Sequence, residues 1–281
     1  MGHVTRYAND GMIYGLDFYI DSIDDNEAHF WLQYENDENR LIVDNFSDID
    51  LGLPAEKHNK TANSSGINAF YGRSEYSERV ITLQTYWGKD TDGGIINRRR
   101  NFLIDYFTGK SAKLYFYIYI PQKMRRYKVE VKPSITGEKY SNFVIADGIS
   151  VKLTCASVYY ESEDFISHKE TISTNLESFF RVQNDGFETS FVLKIVPTED
   201  FDSFQFANAG GSAFKIRTYS KWTAGSVISV DTGLASVKVN GIEQLNAIER
   251  GTFFNLMQGE NVLYYQGGKA EIEVLFREKI K

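Results

Sequence analysis

Short apolar runs separated by turn-forming residues fill the chain from Phe179 to Phe276. Asn240-Gly241 and Gly267-Gly268 each lie between two such runs, and both dipeptides favour the tight turns of β-hairpins. Seven or more short strands at this spacing, with almost no helical periodicity, predict a β-sandwich. The predicted strands are 179–183, 191–196, 213–219, 227–231, 236–239, 261–266 and 270–276.

The first half of the chain also has the pattern of strands. Residues 79–87 alternate between two faces, and residues 113–120 form an aromatic and β-branched run that ends at Pro121. Alternation resumes at 126–131, so residues 113–131 predict a hairpin that turns through 121–125. Aromatic residues make up 15% of the sequence and there are only four prolines, which also favours strands over other structure.

One segment of the first half has helical periodicity instead. Apolar residues between Ile95 and Phe107 approximate one face of a helix, and Gly109 is a suitable helix stop. Arg98, Arg99 and Arg100 lie on the polar face of this predicted helix, where we expect solvent rather than a partner.

The composition of the sequence changes after Tyr160. Residues 161–178 are polar and predict either a linker or an edge strand. At 281 residues the chain is long enough for two domains. We therefore predict an N-terminal domain of residues 1–162 and a C-terminal domain of residues 163–281.

Charge is segregated along the chain. The first 56 residues hold 13 acidic and two basic residues, a net charge of −11. Residues 57–160 hold 17 basic and eight acidic residues, a net charge of +9, whereas the whole chain carries −7. The acidic segment either lies against its own basic neighbour or faces the basic segment of another copy. The overall negative charge disfavours binding of nucleic acid or anionic membranes.

The residues that would support catalysis or metal binding do not form known motifs. A single cysteine, Cys155, excludes an intrachain disulfide and a cysteine-based zinc site, and its position in an apolar strand favours a core role over a nucleophilic one. Gly109-Lys110-Ser111 resembles the end of a phosphate-binding loop, but Ile104 stands where that loop needs glycine. The four histidines are scattered singly: His3, His29, His58 and His168.

We therefore predict no catalytic residue, cofactor or metal, and no enzyme activity. A glycoside hydrolase with an unrecognised pair of carboxylates is the remaining enzymatic alternative. The first residues lack the basic and apolar pattern of a signal peptide, and no run of about 18 apolar residues occurs, so we expect a protein without a cleaved leader or a membrane span.

Three aromatic residues of the predicted sandwich are candidates for stacking on a sugar. They are Trp222, Tyr264 and Tyr265. The alternative is that Trp222 fills the core and that strand alternation turns one of the two tyrosines inward. A carbohydrate-binding protein is accordingly the second functional hypothesis.

Several motifs follow one another along the whole chain. In the first half these are M-I-Y-G-L-D-F-Y-I-D (12–21), R-V-I-T-L-Q-T-Y-W (79–87), N-R-R-R-N-F-L-I-D-Y-F (97–107) and V-K-L-T-C-A-S-V-Y-Y (151–160). In the second half they are W-x-x-G-x-x-I-x-V-D-T (222–232), V-K-V-N-G-I-E (237–243) and F-x-x-L-x-x-G-x-N-x-L-x-Y (253–265). In this order the motifs resemble those of the distal tail proteins of long-tailed bacteriophages, the hub of the siphophage tail tip.

The resemblance implies a fold and a role. The expected fold is mainly β: an N-terminal β-barrel-like, tail-tube-like domain with one α-helix, then a C-terminal galectin-like sandwich of the kind found in carbohydrate-binding modules. The expected protein is a structural virion component made in the bacterial cytoplasm. Six copies would form a hub ring at the distal end of a phage or prophage tail, joining the tail tube to tail-tip or adsorption proteins. DNA would pass through the central channel without specific binding, and contact with host surface carbohydrate is a further possibility.

A ring with a DNA channel assigns expected positions to the charged segments. Lumen walls that let DNA slide should be acidic or neutral, and ring contacts join unlike patches. We therefore expect the acids of the N-terminal segment to lie in the ring interface or the lumen, and Arg98–Arg100 to lie away from the lumen. The acids concerned are Asp21, Asp24, Asp25 and Glu27.

Overall fold

The structure is a computed structural model, and it describes residues 13–20, 27–30, 49–50, 56–57, 60–62, 69–71, 75–84, 112–142, 145–174, 177–244 and 246–281. The chain divides into two units, Met1–Tyr160 with Lys281, and Glu161–Ile280. The predicted boundary after Ser162 lies at the end of the strand Tyr160–Ser162. Almost all described residues lie in strands or the turns between them, which confirms the mainly-β class.

The first unit contains one large antiparallel sheet and two small strand pairs. Its sheet has the strand order β2-β1-β9-β10-β11-β8-β3, and β4 pairs with β7 and β5 with β6, with strand bounds as follows. The strands are β1 (Ile13–Ile20), β2 (Glu27–Phe30), β3 (Ile49–Asp50), β4 (Glu56–Lys57), β5 (Lys60–Ala62), β6 (Ala69–Tyr71), β7 (Glu75–Tyr76), β8 (Val80–Gln84), β9 (Ala112–Ile120), β10 (Arg125–Asn142) and β11 (Ile145–Cys155). The predicted helix at 95–107 lies outside the described residues.

The hairpin of β9 and β10 forms where the sequence predicted it. Pro121 opens a 3-10 turn, Pro121–Lys123, because its fixed φ suits a helical turn and it cannot donate to a strand ladder. Met124 closes the turn with φ 48° and donates its N–H to the Pro121 carbonyl at 3.0 Å. The turn therefore ends one strand and starts the next within five residues.

The second unit contains two antiparallel sheets. One has the order β13-β23-β15-β18-β19-β20 and the other β14-β22-β16-β17-β21, with strand bounds as follows. The strands of these sheets are β13 (Ile166–Ile172), β14 (Ser178–Asn184), β15 (Phe191–Pro197), β16 (Phe201–Asn208), β17 (Ala213–Trp222), β18 (Ile228–Asp231), β19 (Ser236–Val239), β20 (Ile242–Glu243), β21 (Ile248–Gly251), β22 (Gly259–Gln266) and β23 (Ala270–Phe276). Two short strands, β12 (Tyr160–Ser162), which starts at the unit boundary, and β24 (Lys279–Ile280), pair with each other and belong to neither sheet.

This unit is the predicted β-sandwich. All seven predicted strands are present, and β13, from the polar stretch 161–178, is an edge strand of its sheet. The second strand of the hairpin predicted at Asn240-Gly241 is β20, whereas the sequence analysis did not identify β16 or the short strands β21 and β24. Alternate side chains of both sheets enter one apolar core, which confirms the sandwich.

Aromatic rings fill the centre of this core. Phe206 on β16 is fully buried and packs against the rings of Phe180, Phe191, Phe214 and Phe254, with centroid distances of 6.0, 6.0, 5.7 and 6.1 Å. These four rings come from both sheets and from the segment that precedes β22. Phe206 therefore joins separate parts of the sandwich.

A buried polar side chain fixes the turn after β14. The Asn184 amide oxygen accepts the Gly186 N–H at 3.1 Å, and its amide nitrogen donates to the carbonyls of Phe187 and Met257 at 3.0 and 3.2 Å. Asn184 is fully buried, and these hydrogen bonds satisfy a group that would otherwise be costly to bury. The turn at 184–186 is thus tied to a distant segment.

We predict that Phe206→Ala lowers the free energy of unfolding of the second unit by about 3–5 kcal/mol, because it leaves a cavity among four rings. Phe179→Ala, on the edge strand β14 of the same sheet, removes a ring that is 66% exposed, and should cost about 1 kcal/mol or less. Urea denaturation of the full chain, followed by circular dichroism, measures both. Equal losses for the two variants would contradict the assigned core.

Gly251, at the end of β21, offers a second test with a matched control. It has φ 107°, and a Cβ there would overlap the Ala213 carbonyl oxygen and lie 2.6 Å from the Phe214 Cα. Gly241 also has positive φ, 82°, but a Cβ there meets open space. Gly241→Ala should therefore cost about 1–2 kcal/mol in backbone strain alone.

Gly251→Ala adds a steric clash to that strain, so we expect at least twice the loss in free energy of unfolding. Thermal unfolding of both variants under the same conditions provides the comparison. A loss no greater than that of Gly241→Ala would show that β21 does not pack on β17 as described.

Candidate functional site

Two of the three predicted sugar-contact residues lie in the core. Trp222 is 5% exposed and packs edge-on against Phe201, at a centroid distance of 5.6 Å, and against Phe204 at 5.8 Å. Tyr265 is fully buried, and its hydroxyl donates to the Gly268 carbonyl at 2.9 Å. Burial, with a smaller contribution from Glu199, raises the pKa of Tyr265. These positions agree with the core alternative for Trp222 and for one of the two tyrosines.

Tyr264 points to the opposite side of the sheet. It follows Leu263 and precedes Tyr265, both fully buried, so strand alternation turns its ring outward, where it is partly exposed. Phe179 is its direct cross-strand neighbour, with ring centroids 6.4 Å apart. Any sugar contact in this part of the sandwich would use this pair rather than Trp222 or Tyr265.

We call this side of the sheet β14-β22-β16-β17-β21 the outer face. On it, strand pairing places Gln266 opposite Gln205, Gln205 opposite Lys215, and Lys215 opposite Arg250. These four hydrogen-bonding side chains therefore form one row across four strands, which we call the polar row. Gln205 and Gln266 were missed by the sequence analysis because the row exists only once the strands are paired.

A second row lies beside the polar row, two residues along each strand. It runs from Phe179 to Tyr264, Ala207 and Ala213. Two aromatic rings thus stand at one end and two small methyl groups at the other. An open groove lies beside Ala213. Its polar lining is Gln205, Ser212, Lys215, Arg250 and Thr252.

The outer face carries excess positive charge around the groove. Lys215 pairs with Glu249 at 3.1 Å, and Arg181 pairs with Glu260 at 3.6 Å. Arg217 and Arg250 are exposed and form no ion pair with any described residue. The groove therefore borders a guanidinium group that is available to an anionic ligand.

The predicted acidic residues of the ring belong to a different part of the chain. Asp21, Asp24 and Asp25 lie outside the described residues, as do Arg98–Arg100. Glu27 begins β2 and pairs in register with Tyr19 of β1. The assignment of these four acids to a ring interface or lumen stays a prediction.

Cys155 has the environment of a structural residue. It is buried at the end of β11, and burial raises its pKa to about 11. The nearby Arg79 guanidinium opposes this shift, but its effect is smaller. The thiol is therefore protonated at neutral pH, as expected for a core residue rather than a nucleophile.

Other titratable side chains form surface clusters. Ser167 donates its hydroxyl to Glu273 at 2.6 Å, and this bond is the main cause of a lowered pKa of Glu273, with Lys169 and Lys194 adding to it. Among the residues described, no three His, Cys, Asp or Glu side chains are grouped to hold a metal ion. Within the same residues, no helix has the length and apolar character needed to cross a membrane.

The chain is similar to phage tail proteins in sequence and in fold. Residues 186–279 match the family described as siphovirus-type tail component, C-terminal domain, of the SPP1 Dit type. The crystal structure of the Dit protein (gp 19.1) of phage SPP1, described as a paradigm of the hub adsorption apparatus in phages infecting Gram-positive bacteria, has a TM-score of 0.67 at 12% identity. That likeness covers 96% of this chain and 100% of the Dit chain.

Two structures of the phage p2 baseplate in its activated conformation are more distant. The one with Sr has a TM-score of 0.44 at 9% identity and covers 94% of this chain and 98% of that chain. The one with Ca has a TM-score of 0.41 at 10% identity, with the same coverage. No curated protein sequence matches the chain.

The SPP1 Dit structure therefore shows that the fold of a distal tail protein extends over nearly the whole chain. Residues 186–279 span most of the sandwich, including the polar row and the groove. This segment matches the siphovirus-type tail component C-terminal domain, and the resemblance to the distal tail proteins of siphophages is confirmed.

Proposed function

We propose that the protein is the distal hub of a long phage or prophage tail, a structural virion component without catalytic activity. The observation that supports this most strongly is the fold likeness to SPP1 Dit, which extends over 96% of this chain rather than over the sandwich alone. A sandwich occurs in many proteins of unrelated function. A likeness to the same two-part fold along a whole tail protein is compatible with far fewer functions than a sandwich alone.

The proposed hub is a ring of six copies that joins the tail tube to tail-tip or adsorption proteins. A ring requires heterologous contacts, in which one patch of each copy meets a different patch of the next. The segregated charges, −11 in residues 1–56 and +9 in residues 57–160, supply two unlike patches on one chain. Opposite charges also favour a single register between neighbouring copies.

The ring would leave a central channel through which DNA passes. Phosphates bind strongly to basic surfaces, and this binding would hinder movement of DNA. The acidic N-terminal segment is therefore suited to the lumen or its rim, and Arg98–Arg100 should lie elsewhere. The same proposal places the protein at the tail tip of the phage particle.

We predict that the purified full-length chain forms rings with six-fold symmetry. Negative-stain electron microscopy and native mass spectrometry measure the symmetry and the number of copies. A strict monomer at high micromolar concentration, in the presence and absence of neighbouring tail proteins, would contradict the proposal.

Neutralising Asp21, Asp24, Asp25 and Glu27 together, as Asn or Gln, should weaken the ring if these acids face the basic segment of the next copy. Four exposed acids of the second unit provide a control with the same change in charge: Asp164, Glu177, Glu243 and Glu271. Sedimentation velocity over a range of salt concentrations measures ring dissociation for both variants.

We expect the N-terminal variant to dissociate at lower salt, with a weaker dependence on salt, because fewer ion pairs remain to be screened. The control variant should behave like the natural chain. A ring of unchanged or greater stability in the N-terminal variant would place these acids in the lumen, where they repel one another, rather than at the contact.

A further inference from the structure

We propose that the outer face of the second unit binds a saccharide that carries anionic groups, such as carboxylates or phosphates. The site consists of the aromatic pair Phe179 and Tyr264, the polar row and the groove beside Ala213. This inference adds a binding activity to the proposed hub and stands on different residues from those expected to build the ring.

The aromatic pair supplies a surface for sugar rings. Phe179 is 66% exposed and Tyr264 partly exposed, and the rings lie side by side with centroids 6.4 Å apart and planes tilted by 47°. A sugar presents a face of C–H groups that packs on an aromatic ring, and a tyrosine adds a hydroxyl that can hydrogen-bond. Two neighbouring rings offer such a surface to successive sugar units.

The polar row supplies the hydrogen bonds that sugar hydroxyls require. Gln205 and Gln266 are direct neighbours, and each side chain offers both donors and an acceptor. Hydroxyl groups need both, so a pair of amides suits a saccharide better than a pair of like charges. The row extends over three strand spacings of about 4.8 Å each, which is room for several sugar units.

Arg250 determines the anionic character of the expected ligand. It ends the polar row, is exposed, lines the groove and forms no ion pair with any described residue. A guanidinium group binds carboxylate and phosphate through paired hydrogen bonds. The neighbouring Lys215 already forms an ion pair with Glu249, so Arg250 is the stronger candidate to bind the anionic group of the ligand.

The small residues make space for the ligand. Ala207 and Ala213 continue the aromatic row with side chains of only one methyl group each, so the face is low at that end. Ser212 and Thr252 border the groove with two further hydroxyl groups. A chain of sugars lying along the two rows would therefore stack at one end and meet Arg250 at the other.

A protein partner fits this face less well. The core of a protein interface is apolar, and its charged residues are depleted. Beyond the aromatic pair, the described side chains of this face include the aliphatic Val262 but are mostly amides and charged groups. Its composition favours a hydrated, hydroxyl-rich ligand.

The test uses the full-length chain on a glycan array of paired oligosaccharides. Each neutral compound is printed beside counterparts that bear uronate, sulfate or phosphate groups. We expect binding to anionic members and about tenfold weaker binding to their neutral partners, since a charge-assisted hydrogen bond contributes about 1.5–3 kcal/mol. Absence of binding to every anionic member, or equal binding to the neutral partners, would overturn the proposal.

Variants then assign the binding to this face. Tyr264→Ala and Arg250→Gln should each weaken binding by about tenfold or more, while the double variant Phe165→Ala/Lys238→Gln should not. The control residues are exposed in the same unit, but neither belongs to the five strands of the outer face. Circular dichroism and thermal unfolding establish that each variant is folded. Unchanged binding by folded Tyr264→Ala and Arg250→Gln would overturn the assignment.

Ring assembly of the natural chain and of the same variants separates this proposal from the hub. Intact rings of the natural chain that bind no anionic glycan would remove the saccharide site and leave the hub standing. Hydrogen exchange of β16, β17 and β22 before and after assembly with other tail proteins gives a further check. Strong protection of the outer face in the assembled particle would overturn the proposal in favour of a protein contact.

Discussion

The alternation of side chains along each strand is the constraint on which the sandwich depends. Phe206 occupies the centre of the core, so Gln205 must point outward, and the buried Tyr265 sends Tyr264 to the same side. A shift of one residue in any of these strands would exchange core and outer face. The rings around Phe206 therefore fix the outer face as firmly as they fix the core, and the positions of Gln205, Tyr264 and Arg250 follow from buried residues that no ligand touches.

Much of this fold could be predicted from local patterns. The hairpin at Pro121, the turns at Asn240-Gly241 and Gly267-Gly268, and the seven strands between Phe179 and Phe276 depend on neighbouring residues, which a sequence displays directly. The strand β16 has the same alternation, with Phe204 and Phe206 inward and Gln205 outward, and its signal was present but passed over.

The candidate site could not be predicted in the same way. The polar row joins β22, β16, β17 and β21, and their order in the sheet is not their order in the chain. Alternation could show that Tyr264 and Tyr265 point to opposite sides, but it could not show which one is buried. The role of Asn184 could not be predicted either, for the same reason. The sequence Asn184-Asp185-Gly186 is typical of an exposed turn, whereas the Asn184 amide is buried and donates to the Met257 carbonyl of a distant segment. Cross-strand register is a long-range property, and a single sequence does not contain it.

The two proposed activities depend on different residues and can therefore evolve independently. Contacts between the acidic and basic segments are electrostatic and weaken with salt, because exposed charges are screened over about 8 Å at physiological ionic strength. Stacking on Phe179 and Tyr264 depends on apolar contact and is far less sensitive to salt. A tail tip must remain assembled when its surroundings change, and its contact with a surface must form only when the surface is present. The proposed binding site lies on a rigid sheet face, and the core beneath that face is complete without it. Substitutions on the face can therefore change the ligand while the fold is kept.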